Sequence, residues 1–148
     1  MAPIVESVEI ARRPEDVFAY VTDPSHLSEW QESVVSARRE GDGPIAAGSR
    51  VVVKRHVRPR DMTMNMEMSE LNPPRNWTVR GVDGPVRGTA KGTIEPLEGG
   101  QRSKVTITLD FEGHGLGKLL VPLVVRRQAT AEMPKNMQNL KQRLESGG

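Results

Sequence analysis

Most of this chain repeats with a period of two residues and its last part with a period near 3.6, and the change between them predicts the architecture. Residues 3 to 11 alternate. Ile4, Val8 and Ile10 share a face with Glu6 while Val5, Ser7 and Glu9 face the other way, the pattern of an edge or half-buried strand. Pro14 suits the first turn of a short helix whose interior is Val17, Phe18 and Val21, with Glu15 and Asp16 against the positive end of its dipole. Asp23-Pro24-Ser25 ends that helix, and a second helical turn runs from Ser25 to Trp30.

Strands follow at Ser33 to Glu40 and Ser49 to Arg58, separated by the turn Gly41-Asp42-Gly43-Pro44. Asp61 to Leu71 is the clearest strand. The segment Asn72-Pro73-Pro74-Arg75-Asn76 lacks the proline N–H groups a ladder needs, so it reads as a connection into a strand from Trp77 to about Val82. Val86 to Pro96 and Lys104 to Glu112 form a last hairpin through Leu97-Glu98-Gly99-Gly100-Gln101. Gly113, Gly115 and Gly117 then predict a hinge. Beyond it Leu116, Leu119, Leu120, Leu123 and Val124, continued by Met133, Met137, Leu140 and Leu144, predict one long amphipathic helix from about Leu116 to Leu144. Pro122 and Pro134 predict kinks, and Pro134 allows the alternative of two helices.

This order, with an early helix before Asp23-Pro24 and Trp30, Gly48 opening the third strand, the turn Glu70-Leu71-Asn72-Pro73-Pro74-Arg75 with Trp77 after it, and Asn139-Leu140-Lys141 in the final helix, resembles the START-like (SRPBCC) superfamily. That superfamily includes the pathogenesis-related plant proteins, polyketide cyclases and lipid-transfer domains. The resemblance covers nearly the whole chain and implies one α+β domain over residues 1–148, of the helix-grip kind. A curved seven-stranded antiparallel sheet wraps the long C-terminal helix, two short helices follow the first strand, and a cavity lies between sheet and helix. It implies a pocket and not a reaction, because functions on this fold range from lipid carriage to cyclisation of polyketide chains.

Composition narrows the chemistry. At 148 residues the chain is long enough to bury a core without staples, and with no cysteine it has neither disulfides nor thiolate sites. A reducing, cytoplasmic location fits. The first residues lack a basic n-region and a continuous apolar run, so export is not expected, and the longest apolar run, Leu119 to Val125, falls far short of the roughly 20 residues that span a bilayer. A pI of 9.2 sounds basic but reflects 21 basic against 19 acidic side chains, and aromatic residues are only 3% of the chain, so nucleic acid is not the expected partner.

The strand Met62 to Met68 places four methionines on one face, and Thr63, Asn65 and Glu67 on the other. A methionine stripe suits an adaptable wall for apolar ligands and equally well fills a core. The neighbouring inward set Val86, Gly88, Ala90, Gly92 and Ile94 leaves room for a close helix or a guest. Met64 and Met66, with Val53, Leu109, Phe111 and Leu123 on facing surfaces, are the predicted apolar lining. Trp30 and Trp77 are candidates for its rim or wall, while Phe18 and Tyr20 read as packing residues.

No metal or other cofactor is implied. His26 and Glu29 have a ligand-like spacing, which with His56 would suit a metal such as zinc, but two neighbours on a turn are commonly a solvated pair. Gly115-Leu116-Gly117-Lys118 lacks the first glycine and the hydroxyl of a phosphate loop, and no nucleophile-elbow sequence occurs.

Arg55 shares a strand face with Val51, Val53 and Val57. If that face is inward, a guanidinium enters the cavity and must find a carboxylate, carbonyls or an acidic group on the ligand, which makes Arg55 a candidate anchor. His56 replaces it if a bulge reverses the register. Arginine's long stem favours a different outcome, in which the strand twists and the head reaches water. The leading functional reading is a non-catalytic or weakly catalytic domain binding a polyketide, isoprenoid or fatty-acyl compound. A polyketide cyclase or aromatase is the alternative, and a protein-interaction module with an incidental cavity is the third.

Overall fold

The computed structural model describes residues 3–57, 60–83, 86–113 and 121–147. Seven strands, β1 (Ile4–Ile10), β2 (Val34–Arg39), β3 (Arg50–Val57), β4 (Arg60–Asn72), β5 (Asn76–Gly81), β6 (Val86–Leu97) and β7 (Arg102–Gly113), form one antiparallel sheet in the order β1-β7-β6-β5-β4-β3-β2. Two short helices, α1 (Pro14–Val21) and α2 (Leu27–Trp30), follow β1, and α3 (Val121–Glu145) closes the chain. This is the α+β helix-grip architecture that the change of period predicts.

Local chemistry sets the early boundaries. Pro14 begins α1, whose first turn carries Glu15 and Asp16. Asp23 then accepts from the Ser25 N–H (3.0 Å) and hydroxyl (2.7 Å), capping a 3-10 turn at Pro24–His26 that leads directly into α2. The single turn expected at Ser25 to Trp30 is therefore a 3-10 turn and a short α-helix in series. Gly48 has φ +90° where the chain enters β3, a left-handed conformation that glycine adopts without a Cβ penalty.

The core is the contact between β1, β7 and the C-terminal half of α3. Ile10, Val105 and Leu140 are wholly buried there, and Met133, Met137 and Leu144 continue the stripe against Val8 and Ile107. Polar clasps fix the same end: Arg12 donates to the Leu144 carbonyl (2.7 Å), Lys141 to the Glu9 carbonyl (2.7 Å), and the Ala11 N–H to Glu145 (2.8 Å). Pro134 lies inside α3, which continues through it as one helix, so the two-helix alternative is not what forms. The glycine hinge beyond Gly113, His114, and the start of the helix at Leu116 lie outside the described residues. Among the described residues no helix is long and apolar enough to cross a membrane.

Candidate functional site

Away from that core, sheet and helix enclose a cavity of about 200 Å³, with mainly apolar walls. This is smaller than the roughly 300–1,000 Å³ usual for ligand pockets, so a wall that adapts matters more than it would in a larger one. Strand alternation builds the walls: β3 presents Val51, Val53, Arg55 and Val57, and β4 presents Met64, Met66 and Met68 in register with them, Met64 opposite Val53 and Met66 opposite Val51. Trp77 and Val79 from β5, Gly88 and Ala90 from β6, and Leu109 and Phe111 from β7 continue the sheet side. The helix side is Val125, Gln128, Ala129, Glu132, Met133 and Asn136, spaced three and four apart along α3.

Eight of the nine side chains singled out in the sequence thus surround one cavity: Trp30, Val53, Arg55, Met64, Met66, Trp77, Leu109 and Phe111. The side chain of Leu123 lies outside the described residues. The methionine stripe divides between its two readings. Met68 is buried in the main core, Met64 and Met66 form cavity wall, and Met62 packs with Val57 and Val125 at the far end. Trp30 is wall and not rim, being only 3% exposed, and its indole N–H has no hydrogen-bond partner among the described residues. Phe18 and Tyr20 are buried packing residues, as their positions predict.

Arg55 does not turn to water, contrary to what its long stem favours. Its guanidinium donates to Ser33 Oγ (2.7 Å) and to Gln31 Oε1 (2.8 Å), two neutral acceptors in the segment joining α2 to β2. The reason is local: β3 keeps its alternation, so Arg55 follows Val51 and Val53 inward, and acceptors wait there. Desolvation pulls the guanidinium pKa down, and the negative charge of Glu132 on α3 opposes that. Among the described residues no carboxylate closes an ion pair with Arg55. His56 is no substitute, since it faces outward and meets Asp61 (2.7 Å) on the surface.

Gln31, Ser33, Glu132 and Asn136 are polar lining residues that sequence reasoning passed over. A signal for two of them existed, because Glu132 and Asn136 stand four apart beside Met133 and Met137 on the helix stripe. Asn136 is buried and accepts from the Glu32 N–H (3.0 Å), while Asn139 donates to the Trp30 carbonyl (3.3 Å), so α3 holds the cap that carries Trp30 and Gln31.

A second titratable cluster lies on the outside of the same cap. The Tyr20 hydroxyl donates to Glu29 (2.7 Å), whose carboxylate also meets His26 Nδ1 (2.9 Å), and the His26 ring stacks on Tyr20 at 4.4 Å. Burial and the Glu29 contact raise the tyrosine's pKa, and the Tyr20 and His26 hydrogen bonds hold that of Glu29 below its usual value. His26 and Glu29 are joined to one another and to Tyr20, with His56 elsewhere on the surface. No group of three metal-ligating side chains occurs among the described residues.

A family model described as polyketide cyclase / dehydrase and lipid transport matches residues 1–145. No curated protein matches the chain. Among solved structures, a START superfamily protein from Mycobacterium smegmatis superposes with a TM-score of 0.81 at 16% identity, covering 100% of both chains. The Zhui aromatase/cyclase from Streptomyces sp. R1128 superposes with a TM-score of 0.75 at 16% identity over 99% of this chain and 97% of that one. The chain spans 47% of a di-domain ARO/CYC protein from the BE-7585A biosynthetic pathway, with 98% of its own length covered, a TM-score of 0.73 and 13% identity. At these identities the likeness is one of fold.

Proposed function

Because the chain belongs to the polyketide cyclase / dehydrase and lipid transport family, we propose that it binds a small hydrophobic metabolite of polyketide, isoprenoid or fatty-acyl type in the cavity under α3, with Arg55 as the polar anchor. The observation that carries this reading is a part-buried guanidinium that lines an apolar cavity and, among the described residues, donates to two neutral acceptors and to no carboxylate. A buried cation satisfied only by dipoles retains a strong attraction for an anion. A ligand carboxylate, phenolate or enolate seated beside Gln31 and Ser33 supplies one. The indole N–H of Trp30, without a partner among the described residues, is a further donor in the same wall.

Native mass spectrometry of freshly purified protein, followed by extraction, supplies the ligand class, and Arg55→Met then tests the anchor. Methionine keeps most of the stem and removes the charge. Affinity for an acidic ligand should fall by at least about 1.5 kcal/mol, the lower end for a charged hydrogen bond, while affinity for its neutral analogue holds. Equal loss for both, or no loss for either, removes Arg55 from the site.

One observation favours a second reading, in which the cavity acts on a bound polyketide chain. Glu132 lines the cavity and bears on the charge of Arg55 without pairing with it. A carbonyl polarised by Arg55 then has a carboxylate near it for proton transfer. This reading requires Glu132 for turnover and not for binding, which separates it from carriage.

A further inference from the structure

Gly88, Ala90 and Gly92 are inward positions of β6, with Ile94 after them in the core, and the two glycines do more than leave space. Each is the cross-strand partner of an aromatic residue that lines the cavity: Gly92 lies opposite Trp77 on β5, and Gly88 opposite Phe111 on β7. Both rings fold over their glycine. A Cβ added to Gly92 would stand 2.1 Å from Trp77 Cζ2 and 2.3 Å from Cε2 and Cη2, so the indole fills the place where any other residue's first side-chain carbon would be. At Gly88 the same atom would lie 3.1 Å from Phe111 Cδ1 and Cε1, close but only tenths of an ångström inside ordinary contact. Trp77 also meets Phe18 edge-on, at 5.9 Å and 81°.

We propose that Gly92 is the size-determining residue of the cavity, because it lets the Trp77 ring lie flat on the sheet, and that Gly88 does the same more weakly for Phe111. The proposal rests on the reading that the cavity is the ligand site. With a methyl group at position 92 the indole cannot sink toward the sheet, so it lifts away from it, and the empty space that receives it is the cavity. The largest ligand admitted then becomes smaller, while ligands small enough to sit by Met64 and Arg55 are still accepted. At position 88 a small tilt of Phe111 is enough, and the effect is correspondingly slight.

The test compares Gly92→Ala and Gly88→Ala with the unchanged protein, using the neutral probes naphthalene and the larger N-phenyl-1-naphthylamine. Gly92→Ala should weaken the larger probe by roughly tenfold or more, as expected for a misplaced carbon in an apolar pocket, and leave naphthalene nearly unaffected. Gly88→Ala should shift selectivity the same way by less, and Gly92→Ala combined with Trp77→Leu should readmit the larger probe. Pressure unfolding gives a readout that needs no ligand, since the volume change on unfolding scales with internal void and should shrink in Gly92→Ala. If the unchanged protein takes up neither probe, the ligand-site reading fails, while a smaller volume change still supports the glycine's role. If Gly92→Ala does not fold, Gly88→Ala carries the test. Unaltered selectivity with an unaltered volume change, in whichever variant folds, overturns the proposal.

Discussion

Between Met137 and Leu144, α3 packs directly on β1 and β7, with Met137, Leu140 and Leu144 almost fully buried, whereas from Val125 to Asn136 the same helix lines a cavity. The clasps divide in the same way. Arg12, Lys141 and the Ala11 N–H tie the packed end to β1, while the described bond from the open end to the sheet is that of Gln128 to the His56 carbonyl (2.8 Å). One end supplies the burial that holds the fold, which allows the other to keep a void, a part-buried cation and an indole N–H with no partner among the described residues. Sites of this kind are less stable than the scaffold that carries them.

One substitution placed in each region breaks or sharpens this contrast. Met137→Ala removes a side chain from close packing and should cost about 2–5 kcal/mol. Met64→Ala makes the same chemical change in the cavity wall, where part of the side chain already faces empty space, and should cost no more than about 1 kcal/mol. Chemical denaturation of the two variants measures the difference. Equal costs would mean that the open half is packed as tightly as the other.

The smallest effect belongs to the clasp. The Ala11 N–H and the Lys141 ammonium hold the Glu145 carboxyl below the usual range. A depressed folded-state value gives stability that is present above the ordinary carboxylate pKa and is lost as pH falls through the folded one. Glu145→Gln should therefore flatten the acid limb of the stability curve slightly and leave probe uptake unaltered, because the residue is at the packed end. Thermal melts from pH 7 down to pH 3 check this, and an acid limb of unchanged slope would mean that the clasp adds nothing.

How much of this was legible in the sequence follows from the range of each cause. Alternation and helical spacing are local, so the strands, the helix stripe and the inward faces of β3 and β4 could be read directly, Arg55 included. The place of the Arg55 head could not. Its acceptors Gln31 and Ser33 come from the segment after α2, and the pairing of β2 with β3, which sets Val34 opposite Arg55, brings them there. Trp77 likewise reads as wall or core, but its seat on Gly92 depends on the register of β5 against β6, which no local pattern encodes. Leu123 belongs to the helix stripe by its spacing, with its side chain outside the described residues.

The central claim is that the space between β3, β4 and α3 is where an apolar ligand sits. Replacing both Met64 and Met66 with tryptophan fills that space from one wall without touching the packed end, and uptake of N-phenyl-1-naphthylamine is then measured by fluorescence beside a denaturation curve. The account predicts that uptake disappears while cooperative unfolding is retained. A well-folded double variant that takes up the probe as the unchanged protein does would contradict it.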